Sequence, residues 1–283
     1  MVTPATEHED ADALEATLRS SLDQGYAGLE QIVAGAGPGA RSERVVHVAS
    51  AAPEAEPWRR IEDGLARTAG SVVAWLLPGD RLLPWALRAV GEIFAEHPQL
   101  GWLSSLLPAP SDREGICASA SRLPGFSRDA FLDGRYLGQP GPRAPAPPAG
   151  WLHGGATFFR RALWDRAGGR FDHGSRAPDF ELWCRLYEEG DLAGVTIPLA
   201  LRLERREPEG YRRDAEAALE RMRARARWTP DRPRAAAFLA RIDAVPRLAE
   251  LGAPALGYRG QRLLRPAQGE DAGRWLLESH AFF

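Results

Sequence analysis

Apolar positions along this chain follow two rhythms. Short unbroken apolar runs bounded by Gly and Pro alternate with stretches in which apolar residues recur every three or four positions. The first rhythm predicts buried strands and the second amphipathic helices. The run Ser71–Leu77, stopped by Pro78-Gly79-Asp80, reads as a central strand, buried on both faces. Leu29–Ala34, Val45–Ala49, Leu100–Leu106 and Val195–Leu203 read as further strands, and Met1–Pro4 as the end of another. Helices are predicted over Asp10–Asp23, where Leu14, Leu18 and Leu22 form one stripe, and over Trp58–Ala69, closing on Gly70. Further helices are predicted over Leu83–Glu96, Arg160–Ala167, Asp179–Glu188, Arg212–Trp228 and Pro233–Leu251. Pro108–Gly125 reads as irregular and Gly138–Gly150 as a Pro/Gly-dense surface loop. Strands alternating with helices point to an α/β fold with a mostly parallel sheet.

In such sheets ligands bind beyond the carboxyl ends of strands, which puts Asp80 where a phosphate or a metal would sit. Asp is also a preferred N-cap, so Asp80 capping the following helix is the competing reading. Asp179, with Pro178 before it and Phe180 and Leu182 after it, reads as an N-cap of its own helix. His153 and His173 are candidates for a metal or phosphate site, or are surface and structural residues. Arg160-Arg161 can pair with phosphate or serve a structural ion pair. Trp151, Trp164 and Trp183 can stack on a sugar, with core packing the plainer role.

Composition narrows the chemistry. The 283 residues, 44% hydrophobic, suffice for one large α/β domain or a domain with an appendage. A net charge of -2 gives no argument for nucleic acid. All 36 basic residues are Arg, and neither Lys nor Asn occurs, which excludes a Schiff-base lysine and a Walker-type loop. Two Cys, Cys117 and Cys184, form no zinc site by themselves. The acidic N-terminal stretch has no signal-sequence pattern, and no apolar run reaches a membrane span, so a cytoplasmic location is the expectation.

Several blocks, in order, resemble family-2 glycosyltransferases. They are Ser20-Ser21-Leu22-Asp23-Gln24-Gly25-Tyr26 with Leu29–Val33; Gly64–Gly70 as a G-x-x-x-A-x-G segment; and Trp75–Asp80 with Leu82-Leu83-Pro84. Phe158–Trp164, Gly168-Gly169, Phe171-Asp172, Asp179–Leu186, Pro198-Leu199-Ala200 and Arg202 complete the match, which covers residues 1–220 sparsely. The resemblance implies a GT-A fold over residues 1–208, with a nucleotide-sugar half (1–107) and an acceptor half (151–208), followed by a helical C-terminal extension, 209–283. It also implies transfer of a sugar from a nucleotide-diphosphate sugar to an acceptor hydroxyl, with inversion, in surface glycan assembly. The acceptor would be a glycan or lipid-linked, with peripheral association at the inner face of the membrane. Asp80 would ligate Mg²⁺ or Mn²⁺ on the diphosphate, and Asp179 would be the general base, with Glu181 as helper. Thr3, Pro4 and Gly35 would line the nucleotide.

The sequence also departs from that family. Its acidic pair is here Leu77-Pro78-Gly79-Asp80, its D-G-x-S-x-D loop is Gly35-Ala36-Gly37-Pro38-Gly39-Ala40, and a further Asp falls on Arg59. The alternative is a non-catalytic GT-A-like binding or scaffold protein.

Overall fold

The computed structural model describes residues 1–36, 43–50, 57–117, 123, 125–134, 136–137, 152–205, 208–228 and 261–280. The Gly37–Gly39 segment, the Gly138–Gly150 loop, Trp151 and the Pro233–Leu251 helix predicted above lie outside the described residues.

Strands β1 (Val2–Pro4), β2 (Gln31–Ala34) and β3 (Val45–Val48) form a parallel group, with Val2 opposite Ile32 and Ile32 opposite Val46. Val2 also bridges Trp75 in parallel, just past β4 (Val72–Val73). The strand predicted over 71–77 therefore changes partner along its length. Val72–Val73 pairs antiparallel with β8 (Thr157–Arg160), and residues 74–76 turn to β1. β8 pairs antiparallel with β6 (Trp102–Ser105), and β6 pairs in parallel with β9 (Leu192–Val195). The sheet is thus mixed, not mostly parallel, because β8 runs backwards between β4 and β6. A second sheet joins β5 (Arg81–Leu82), β10 (Ala200–Leu203) and β7 (Ala109–Ser111), the last inside the stretch expected to be irregular.

Two further expectations change. The strand predicted over 195–203 is two strands in different sheets, separated around Pro198, which has no N–H to give to a ladder. The C-terminal part is not helical throughout. After α7 (Tyr211–Ala226), residues 261–280 form a hairpin, β11 (Gln261–Pro266) and β12 (Trp275–His280). It is seated on the sheet where Thr196 N–H donates to Leu264 C=O at 2.9 Å.

Helices form where the stripes predict. In α1 (Ala11–Leu22), Asp10 caps the start, accepting from Asp12 and Ala13 N–H. α2 (Pro57–Leu65) and α3 (Ala86–Glu96) follow, with α4 (Arg128–Leu132), α5 (Arg161–Arg166) and α6 (Pro178–Glu189) beyond. The residues of the Ser20–Tyr26 block act as a clamp. Ser20 Oγ accepts from Leu82 N–H at 3.0 Å, and Gln24 Oε1 accepts from Leu87 N–H at 2.9 Å, satisfying a first-turn donor of α3.

The two faces of the central strand feed two cores. Val73 and Trp75 pack with Trp102, Phe159, Phe171, Trp183 and Tyr187, while Ala74 and Leu76 pack with the α3 side chains Val90, Ile93 and Phe94. Trp75 stacks on Trp183, ring centroids 5.4 Å apart and nearly parallel. Trp164 and Trp183 are core residues, at 4% and 1% exposure. This packing holds the carboxyl ends of β1, β2 and β4 at one edge, where the charged groups collect.

Candidate functional site

The Pro78-Gly79-Asp80 turn is held down by α1. Gly79 N–H donates to Thr17 Oγ1 at 2.8 Å. Gly79 has φ +92, and a Cβ there would stand 2.5 Å from Leu203 Cδ2. Both backbone and space favour glycine at this position. The turn sends the Asp80 side chain inward, 2% exposed. Its Oδ1 accepts from Arg205 Nη1 at 2.7 Å and from Leu203 N–H at 3.1 Å. Its Oδ2 faces His153 Nε2 at 3.6 Å, beside the Gly154–Ala156 turn. Arg205 also donates to the carbonyls of Leu203 and Pro78. Burial works against the Asp80 charge, but the hydrogen bonds and charges of His153 and Arg205 outweigh it and hold the carboxyl below its ordinary value. Burial lowers the His153 pKa, opposed by its hydrogen bond to Asp80 and the Asp80 charge. Asp80 does not cap the next helix: α3 starts after Trp85, without a side-chain cap.

Asp179 is the second residue of α6, after Pro178 at the first turn, where proline is tolerated because no N–H is needed. It is not the N-cap, which is Ala177. Its Oδ1 accepts from Phe180 N–H at 2.8 Å, and the Tyr211 hydroxyl donates to the carboxylate. Burial pushes its carboxyl above the ordinary value, against those hydrogen bonds and the positive charge of Arg202. Glu181 turns away, held by Arg185 Nε at 2.9 Å and Nη2 at 2.7 Å. Arg202 joins the two carboxylates electrostatically. Burial lowers its pKa, opposed by the charges of Asp80 and, more weakly, of Tyr211 and Asp179.

The other expected site residues are placed as follows. Thr3 is fully buried, and its Oγ1 accepts from Gln31 Nε2 at 3.2 Å, within a polar chain that continues to Ser21. Its hydroxyl is buried in the core and hydrogen-bonded there. Pro4 ends β1, buried and opposite Ala34. Gly35 ends β2 with φ +111, and a Cβ there would lie 2.3 Å from Ala5 O and 2.8 Å from Arg60 Cδ. Arg60 and Arg205 both act on Glu9, in the loop after β1; burial raises the Glu9 carboxyl against them. His173 bonds Glu62 at 2.9 Å. Arg160 and Arg161 are structural. Arg160 donates to Phe94 and Leu100 carbonyls, both at 2.8 Å, and Arg161 to Gly70 at 3.0 Å and Leu65 at 3.1 Å. They satisfy carbonyls at the ends of α2 and α3.

The donor set around Asp80 does not fit Mg²⁺ or Mn²⁺. Such ions want several oxygen ligands, and here Asp80 Oδ1 already carries a guanidinium and a backbone N–H, which leaves Oδ2, facing the His153 imidazole at 3.6 Å, as the one remaining carboxylate oxygen. Leu203 fills the space a side chain at position 79 would need. Among the described residues, no three His, Cys, Asp or Glu side chains gather as a metal requires.

No protein-family model and no curated protein matches this sequence. Solved structures do match in shape. S. aureus TarS residues 1–349 in complex with UDP superposes with a TM-score of 0.54 at 11% identity, over 78% of this chain and 64% of that one. Another TarS crystal structure gives 0.51 at 13% identity, over 72% of this chain and 36% of that one. The fold is GT-A-like. This chain therefore spans less than two thirds of the length of either TarS structure. Asp80 follows β4 at the carboxyl end of the central strand, the position where open α/β sheets bind ligands.

Sequence reasoning singled out both aspartates but gave Arg205 no role. Its partner Asp80 lies 125 positions away. The available signal was the pair of arginines three apart in Leu201-Arg202-Leu203-Glu204-Arg205, at the end of an apolar strand.

Proposed function

We propose that this chain is a glycosyltransferase that moves a sugar from a nucleotide-diphosphate sugar to an acceptor hydroxyl with inversion, in the assembly of a surface glycan. One observation supports this most. Asp80, from the half spanning 1–107, and Asp179, from the half spanning 151–208, act on one arginine, Arg202, at the ligand edge of a GT-A-like fold. Asp179 suits the general base. Its burial and raised pKa make the carboxylate a better proton acceptor than an exposed aspartate, and Tyr211 holds it in place. It takes the proton of the acceptor hydroxyl as that oxygen bonds to the anomeric carbon. The bond from that carbon to the phosphate oxygen breaks on the opposite face, and the nucleoside diphosphate leaves with the electron pair. The UDP complex of TarS makes uridine diphosphate the first nucleotide to try. A glycan or lipid-linked acceptor, and work at the inner face of the membrane, complete the reading. No helix among the described residues is long and apolar enough to cross a membrane.

The test is release of UDP from a panel of UDP-sugars with candidate acceptors. Activity in the wild type, lost in Asp179→Asn with the unfolding temperature kept or raised, is the expected result. Full activity in Asp179→Asn overturns the base assignment. A second reading, a GT-A-like protein without sugar transfer, draws on the poor metal donor set at Asp80. Binding of UDP without turnover of any donor would favour it.

A further inference from the structure

The misfit at Asp80 has a positive side: where a cation would sit between carboxylate and phosphate, the chain places its own cations. We propose that Arg202 and Arg205 hold the diphosphate of the donor in place of a divalent metal, so that a nucleoside diphosphate binds this chain without Mg²⁺ or Mn²⁺. This rests on the reading that the donor is a nucleotide-diphosphate sugar.

Arg205 is fixed in advance. Nη1 is bonded to Asp80 Oδ1 and Leu203 O, and Nη2 to Pro78 O. A guanidinium carries five N–H donors. The side chain is 29% exposed, so part of it reaches solvent. Its Nη1 and Nη2 bonds anchor the guanidinium in the turn after β4. Arg202 lies in β10, three positions earlier, within the fields of both Asp80 and Asp179. Two guanidinium groups carry the charge of one divalent ion. Their planar forks match phosphate oxygens two at a time. The electron pair left on the phosphate oxygen when the sugar bond breaks would then be met by fixed N–H donors. A metal bound to Asp80 Oδ1 would have to displace the Arg205 guanidinium from 2.7 Å, or share a carboxylate with it against like-charge repulsion.

The experiment is calorimetric titration of the full chain with UDP, GDP, ADP, CDP and dTDP, in EDTA and again in Mn²⁺. At least one nucleotide is expected to bind with the same affinity, within about twofold, in both buffers. Arg202→Gln and Arg205→Gln are each expected to weaken it by about 10- to 100-fold, the loss of one charge-assisted pair. The corresponding monophosphate should lose less. Arg205→Gln leaves Asp80 buried without its cation and can fail to fold. The double variant Asp80→Asn/Arg205→Gln removes both charges together and should fold and still lose diphosphate affinity. Binding only in Mn²⁺ overturns the inference and leaves the donor reading standing. So does metal-free binding that survives in Arg202→Gln and in the double variant. No binding of any diphosphate in either buffer overturns both.

Discussion

Asp80 and Asp179 are the same side chain at the same edge of the fold, and their surroundings push them in opposite directions. Asp80 is 2% exposed, yet its pKa falls, because an arginine and a backbone N–H lie on one oxygen and an imidazole faces the other. Asp179 meets a hydroxyl and a helix N–H at close range, with its nearest cation acting only through space, and its pKa rises. Burial alone does not set the charge of a carboxylate; the partner within hydrogen-bond reach does. The first aspartate is built to stay ionised and hold an arginine. The surroundings of the second favour the protonated form.

The comparison breaks most sharply through catalysis. Asp179→Asn should lower the transfer rate by about 10²- to 10⁴-fold, the usual contribution of a general base, while Asp80→Asn should lower it less. Single-turnover rates at saturating donor would check this; equal losses would end the division of roles. The next effect is on stability. Arg205→Met leaves a buried carboxylate without its cation and should destabilise the fold by about 3–5 kcal/mol, measured by urea unfolding. Asp80→Asn should cost less, because the Arg205 side chain, at 29% exposure, regains water.

A pH series separates the two groups by sign. The depressed pKa of Asp80 contributes stability that is present above its unfolded pKa and is lost as pH falls through the folded one. The raised pKa of Asp179 does the reverse: stability is lost as pH rises from its unfolded pKa through the folded one. Relative to wild type, Asp80→Asn should therefore be weaker at neutral pH, with the gap closing in acid. Asp179→Asn should be stronger at neutral pH, also closing in acid. Unfolding free energies from acid to neutral pH test both. Tyr211→Phe removes a hydrogen bond that favours the Asp179 charge, so the acid limb of kcat/KM should move to higher pH. A limb that stays in place would remove Tyr211 from the site. Smaller effects probe the scaffold. Gly79→Ala should cost about 1–3 kcal/mol, because it is strained at its φ and crowds Leu203. Arg161→Gln should cost about 1 kcal/mol through lost carbonyl contacts.

Two arginine pairs show how far the sequence could be read. Arg160-Arg161 is adjacent and conspicuous and invited a phosphate role, yet both side chains close the carbonyl ends of α2 and α3. Arg202 and Arg205 look like part of an ordinary strand end, yet they meet the site carboxylates. The side chains are identical, so the sequence carries no local mark of which groups they meet. Thr3 shows the same dependence on distant partners: its hydroxyl accepts from Gln31, 28 positions away.

What the sequence by itself determined is what neighbours along the chain decide. Leucine stripes placed α1, the Gly/Pro-bounded apolar run placed the central strand, and the Pro78-Gly79-Asp80 stop placed a carboxylate at its end. Each depends on backbone preferences and periodicity within a few residues. The tertiary structure alone decided which strand lies beside which. It set β8 backwards between β4 and β6, split 195–203 between two sheets and added the hairpin at 261–280. It also brought Arg205 to Asp80 across 125 residues. Those outcomes depend on how two apolar faces of one sheet are covered, and on which charges that closure brings within 3 Å of one another. No short window of sequence contains that information.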